Sequence, residues 1–462
     1  MKNEDLIVVI EIGSSVVSGL AGYRYPDGKI EVKAYASEPS GEFIQNGVVR
    51  NIDKTAQCLT NIVNLLEGQL PTGTSIDQVF VGLCGYTVHS TMGHVARSFE
   101  EETRVTSDLI ESMAEENQNI QREASDKVVI KVIPQEYEVD SLPTADPVGC
   151  NCRKLCGRYL NLEARLSTTE NLRTAFDAAN IVIADDFVTP LLLANVISSS
   201  TERSLGCTIV DIGAGTSTVS IYKGGRLRFI SVVPLGDRLI TNDLVTLGIA
   251  EEEAERIKRD YGLTIDTEDA TSYTTEGGNK IPLRSIGLAI RARFQEIVAN
   301  IEHQVRVSGY ADEKLSSGYI FTGGTLALPG AESYLRRQCV FDKIRVATLS
   351  PAVIWSVDQV PVSSKQISMC ALLAACNDSC CSYEEPQEID YNVGNFKTGL
   401  LFDDFGNSAQ EERDRQERER KEKEQRERMV AKERKKRERE KRESDGILNR
   451  IGKKLVDALL ND

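Results

Sequence analysis

Two segments far apart in the chain carry one pattern, and that repetition limits the fold more than any other feature. Leu6 to Ser15 is LIVVIEIGSS and Cys207 to Thr216 is CTIVDIGAGT. Each is a β-branched apolar run followed by an acidic residue, Ile-Gly, and small hydroxylated or glycine residues. Each continues into a second apolar run, Val16 to Tyr23 and Thr218 to Tyr222, with turn residues after it at Pro26-Asp27-Gly28 and Lys223-Gly224-Gly225. Two such hairpins predict two lobes of similar build. The 462 residues, 40% of them apolar, exceed one ordinary core and suffice for two. Helical spacing of apolar residues predicts helices over Asp53 to Leu66, Asn171 to Asn180 and Arg284 to Val307. Strands alternating with helices imply an α/β sheet in each lobe.

Glycine after an acidic strand end lets the backbone turn tightly and aim N–H groups at an anion. Gly13 with Ser14 and Ser15, and Gly213 with Gly215 and Thr216, could therefore grip phosphates from two sides. Asp211, repelled by phosphate, would hold a divalent cation through water. A single hairpin of this kind is common for steric reasons alone. A third element sharpens the reading: Tyr319 to Gly330 (YIFTGGTLALPG) is a strand ending in Thr-Gly-Gly, where Gly323, Gly324 and Thr325 let the backbone lie against a purine or ribose.

In this order the three elements resemble the phosphate-1, phosphate-2 and adenosine motifs of the actin-like ATPase superfamily, which cradles ATP and Mg²⁺ between two lobes. By the same resemblance Glu255 and Lys258 in AERIK fit the helix that contacts ribose and base; a solvated helix face is the other reading. Val132 to Val139 (VIPQEYEV), followed by Asp146-Pro147-Val148-Gly149, and Glu11 in place of the usual aspartate, narrow the likeness to the FtsA family of bacterial division proteins. The resemblance implies duplicated ribonuclease H-like lobes. Subdomain 1A would comprise 1–84 and 168–205, with 360–400 returning to it, and 1C would comprise 85–167. Subdomain 2A would comprise 206–240 and 305–359, and 2B 241–304. It further implies polymerisation into protofilaments, capture of the FtsZ C-terminal tail by 2B, contacts of 1C with other division proteins, and slow or negligible ATP hydrolysis. Asp185 and Asp186 sit in the stretch where some relatives orient water, which makes Asp186 the candidate catalytic residue; a helix N-cap with a first-turn carboxylate is the plainer alternative.

Formal charge is −15, and residues 410–443 hold 16 basic against 12 acidic side chains, which leaves −19 on residues 1–409. A body this acidic repels phosphate backbones and argues against nucleic acid as a partner. The 406–443 linker cannot bury a core, and is either a disordered spacer or a lone helix braced by i,i+4 pairs. In the 444–462 segment Ile447, Leu448, Ile451, Leu455 and Leu459 fall on one helical face, with Arg450, Lys453 and Lys454 beside or opposite it. Such a helix either docks on its own body or lies on a membrane; the long polar spacer favours the membrane, and the family's targeting helix is at the same place. No run approaches the roughly 18 apolar residues of a spanning helix, so attachment to the inner face of the cytoplasmic membrane would be peripheral. The eleven cysteines lack paired C-x-x-C spacing and suit a reducing cytosol as free thiols, with a metal at Cys150 to Cys156 or Cys376 to Cys381 the alternative. A sugar or acetate kinase of the same superfold, a heat-shock-type chaperone and a pilus-assembly actin homologue are rivals. The kinase explains neither VIPQEY nor the spaced amphipathic tail, the chaperone would need a β-rich substrate domain after residue 400, where only charged helix-like sequence stands, and the pilus homologue would not need the tail.

Overall fold

The computed structural model describes residues 6–383 apart from 84, 123–125, 267–270, 311–314, 339–340, 342, 349–352, 358–365 and 377. The charged run and the amphipathic segment, including Ile447, Leu448, Ile451, Leu455 and Leu459, lie outside the described residues.

Ile7, Val8, Val9 and Ile10 are buried without alternation. A run of this kind is stable only where helices cover both faces of a sheet, and Ile7–Ile12 is accordingly an interior strand. The sheet order is Val182–Val188, Gln78–Leu83, Ile7–Ile12, Val16–Arg24, Ile30–Pro39 and Val353–Trp355. Ile7–Ile12 pairs antiparallel with Val16–Arg24 and parallel with Gln78–Leu83. Cys207–Ile212 repeats this, antiparallel with Ser217–Lys223 and parallel with Tyr319–Thr322. The duplication in the sequence is thus a duplication of sheet connectivity.

Helices cover the first sheet on both sides. Gly19 lies under Ile62 and Leu66 of the Ile52–Glu67 helix, and Gly82 lies under Leu372 of the Ile367–Ala375 helix. Ile52–Glu67 begins where Asn51 Oδ1 accepts from Lys54 N at 3.0 Å, so Asn51 rather than Asp53 sets the start. The predicted Asn171 helix runs over Leu166–Ala178; its added first turn, Leu-Ser-Thr-Thr, carries no apolar periodicity to announce it. Leu283–Val307 buries Ile286, Ile290, Phe294, Ile297, Ile301 and Val305, a stripe at helical spacing that forms much of the second lobe's core.

Asp185 and Asp186 do not cap a helix. They belong to the Val182–Val188 strand, and the following helix, Thr189–Ile197, is capped by Val188 with Pro190 in its first turn. Val182–Val188 is an edge strand, where charged side chains reach solvent and strand pairing still holds.

The insert between the lobe-1 strands contains His89–Arg104, Lys127–Val139, Asn151–Arg165 and a helix, Ser107–Arg122. Its sheet does not stand alone. His89 pairs with Ser231, which joins the insert to the second lobe's sheet and makes nine strands. Ser90 Oγ accepts from Ile230 N at 2.9 Å and donates to Ile230 O at 3.1 Å. The VIPQEY block closes the same seam. Buried Gln135 donates to Leu227 O at 3.0 Å and accepts from Arg228 at 3.1 Å, while Arg226 donates to Pro134 O at 3.3 Å and to Gln135 O. Gln135→Leu keeps the volume but leaves Leu227 O without that donor, and should cost about 1–3 kcal/mol in chemical denaturation. An unchanged midpoint would remove Gln135 from the seam's energetics.

Candidate functional site

The two hairpin tips meet. A methyl group added at Gly215 would come within 2.5 Å of Ser14 Oγ and 3.0 Å of Asn46 Oδ1, so the second hairpin presses its backbone against Ser14 of the first. Ser14 is buried and Ser15 exposed. Gly13 is required because a Cβ there would collide with Val16 O, whereas at Gly213 a Cβ would approach only Thr216 O, at 3.3 Å. Gly213 N donates to Thr216 O at 2.8 Å and closes that turn. The bareness of Gly213 is thus not demanded by the protein's own packing.

Glu11 and Asp211 occupy equivalent places on the two central strands. Burial pushes the Glu11 carboxyl up to about 7, against a hydrogen bond from Ser368 Oγ at 2.8 Å, and Asp211 across the cleft raises it further. Burial pushes Asp211 up to about 6. Among the described residues neither carboxylate has an ion-pair partner. Gly323 comes so close to Asp211 Oδ1 and Ile212 O that a Cβ has no room, and its φ of 101° is one that glycine alone adopts easily. Thr325 Oγ1 donates to Gly213 O at 3.1 Å, which ties the Thr-Gly-Gly turn, with Gly324, to the second hairpin. The glycines, serines and threonines named from the sequence therefore converge on one place.

Glu255 and Lys258 are not a solvated helix face. Lys258, on Glu251–Tyr261, is 4% exposed and donates to Glu255 Oε1 at 2.6 Å, Thr241 Oγ1 at 3.0 Å and Asp237 Oδ1 at 3.3 Å. Asp237 N donates to Gly213 O at 3.1 Å, the same carbonyl that accepts from Thr325 Oγ1, which connects this network to the cleft.

Asp186 is not brought there. Its register partner is Val81, which pairs with Ile10, while Glu11 pairs with Gly82 and so faces the other side of the sheet. Arg173 Nη2 holds the Asp186 carboxylate at 2.9 Å on that far face. Sequence spacing placed Asp186 near the hairpins; the strand's alternation turns it away.

The sequence reading missed Ser368, Asn46, Asp237 and Arg238. None lies in a glycine motif, and only tertiary folding carries them to the hairpins. Arg238 donates through Nη2 to Ser14 O.

The donor set suits a magnesium ion carried with a nucleotide better than a bare metal site. Two half-buried acids without a cation favour incoming positive charge, yet among the described residues no three His, Cys, Asp or Glu side chains converge. The described cysteines, Cys150 and Cys152, Cys376 and Cys380 among them, are free thiols.

Residues 208–368 match the family model of the cell division protein FtsA, and residues 85–162 match the SHS2 domain inserted in FtsA. The cell division protein FtsA of Porphyromonas gingivalis is 32% identical over 329 residues, covering 69% of this chain and 68% of that protein. The chain belongs to the FtsA family. FtsA of Neisseria meningitidis is 28% identical over 385 residues, 81% of this chain and 91% of that one. Among solved structures, a PilM–PilN type IV pilus biogenesis complex superimposes with a TM-score of 0.58 at 16% identity, covering 80% of this chain and 97% of that chain. The fold is the actin-like one with the FtsA insert, and the protein is an actin homologue of cell division.

The acid pair fixes a pH dependence. Glu11 and Asp211 bind protons more tightly folded than unfolded, where their ordinary values are 4.5 and 3.8. Their favourable contribution is present below those values and lost as pH rises through about 6 to 7. Without nucleotide or magnesium, Glu11→Gln should therefore stabilise the protein over the parent by up to about 3 kcal/mol near pH 8, and hardly at all near pH 4. A difference that does not change with pH would contradict a desolvated Glu11 without an ion-pair partner.

Proposed function

We propose that this chain binds ATP with Mg²⁺ between its two hairpins, polymerises at the inner face of the cytoplasmic membrane, and tethers the FtsZ ring to it. The observation that carries the nucleotide part is the meeting of Ser14 with Gly215 beside the half-buried pair Glu11 and Asp211. Hairpin N–H groups, Ser14, Ser15 and Thr216 would bind phosphate oxygens. Asp211 would hold Mg²⁺ through water, and the ion would neutralise phosphate charge. Gly323, Gly324 and Thr325 would receive the adenosine, with Glu255 and Lys258 toward ribose and base. Turnover would be slow or negligible, because ATP serves to set the polymer state.

Membership in the FtsA family supports the remaining parts. Residues 241–304 would receive the FtsZ tail and the 85–167 insert would meet other division proteins. The apolar face of Ile447, Leu448, Ile451, Leu455 and Leu459 would lie on the membrane. A single helix of this size binds reversibly, and a polymer that aligns many copies raises the effective concentration of each tail.

Gly213→Val should abolish ATP binding in a fluorescent-nucleotide titration, since the added groups enter space that the protein's own packing leaves nearly clear. Undiminished affinity would remove the cleft assignment. Truncation after Glu443 should release the protein from anionic vesicles with ATP binding intact, and Leu455→Glu should nearly match it. Continued co-sedimentation of the truncated protein would overturn the tether.

A further inference from the structure

We propose that Arg238 reads the terminal phosphate of the bound nucleotide, exchanging its bond to Ser14 for phosphate oxygens and so coupling the lobes to the triphosphate state. The proposal rests on the nucleotide-binding reading above.

The backbone fixes Arg238 at the point where the hairpins meet. Gly236 lies so close to the Gly213 and Ala214 backbone that a Cβ has no room. Asp237 N then donates to Gly213 O at 3.1 Å and Arg238 N to Ala214 O at 2.9 Å. From that anchor on the second hairpin the guanidinium crosses to the first and donates to Ser14 O. It is the positive counterpart of the Ser14–Gly215 contact, in reach of both tips.

Its bonding is incomplete. Arg238 is half-buried, and among the described residues its guanidinium has no carboxylate partner and no hydrogen bond besides the one to Ser14 O. A guanidinium has five N–H donors, so most remain unused. Holding a partly desolvated cation against one neutral carbonyl is unfavourable unless an anion completes the set. Lys258 is not available for that purpose, because Glu255, Thr241 and Asp237 occupy it. The nine-residue helix Arg238–Thr246 also begins here, and its N-terminal end adds partial positive charge at the same place.

The need for a cation follows from the acids. A phosphate chain entering between the hairpins meets Glu11 and Asp211, and a planar fork that can bind two oxygens offsets that repulsion at its far end. Backbone N–H groups bind any phosphate alike. A side chain that must leave Ser14 O to engage responds only to the group that reaches the hairpin tips. A triphosphate would break the Arg238–Ser14 link between the lobes, and a diphosphate would leave it in place.

The test compares the full-length parent with Arg238→Ala and Arg238→Lys, using fluorescent ATP and ADP titrations with magnesium and thermal melts to confirm folding. Arg238→Ala should weaken ATP binding at least about tenfold while ADP affinity changes no more than about threefold. Arg238→Lys should lie between, and it reads the same ratio if the alanine variant does not fold. Equal losses for ATP and ADP, no loss, or tighter ATP binding would overturn the role of Arg238 alone. A parent that binds neither nucleotide would overturn the cleft reading together with it.

Discussion

Each lobe of this protein sets a half-buried carboxylate near the end of its central strand, and neither lobe supplies that carboxylate with a cation among the described residues. Such a pair is unfavourable in the polypeptide by itself. Much of the surrounding structure is arranged around it. Ser368 brings a hydroxyl back from late in the chain to Glu11, Gly323 gives up its side chain so that its backbone can touch Asp211, and Thr325 ties that turn to the second hairpin. The acids lower the protein's own stability near neutral pH, in a place where a magnesium ion and a phosphate chain would balance charge.

The second constraint is the seam between the insert and the second lobe. Lys127–Val139 could have been a strand of a separate small domain. Instead Gln135, Arg226 and Arg228 fasten it to Arg226–Val233, the strand next to the second hairpin's return strand. The insert is covalently part of the first lobe but hydrogen-bonded to the second. A change in the angle between lobes would therefore strain these hydrogen bonds of the insert.

The hairpins and the Thr-Gly-Gly turn were legible in the sequence because their chemistry is local: a β-branched run, an acid and glycines at fixed spacing. The long helix was legible through its stripe from Ile286 to Val305. The Asp186 reading failed for a reason of geometry, since one step along a strand reverses the face and spacing alone does not say which face looks into the cleft. The solvated-face alternative for Lys258 failed because its partners Asp237 and Thr241 lie on other segments. Ser368, Asn46 and Arg238 sit outside any repeated pattern and reach the site only through tertiary folding. The joined nine-stranded sheet was hidden for the same reason: one residue pair, His89 with Ser231, makes the connection.

In the proposed function Glu11 and Asp211 are counter-charges for a magnesium nucleotide. The direct measurement is the thermal stabilisation given by ATP with magnesium, over that given by ATP alone, followed from about pH 5.5 to about pH 8. Both carboxyls must ionise to hold positive charge, and they do so across about pH 6 to 7. The magnesium-dependent stabilisation should grow across that interval and be flattened in Asp211→Asn; a stabilisation independent of pH, or larger at the acidic end, would contradict this role of the two acids.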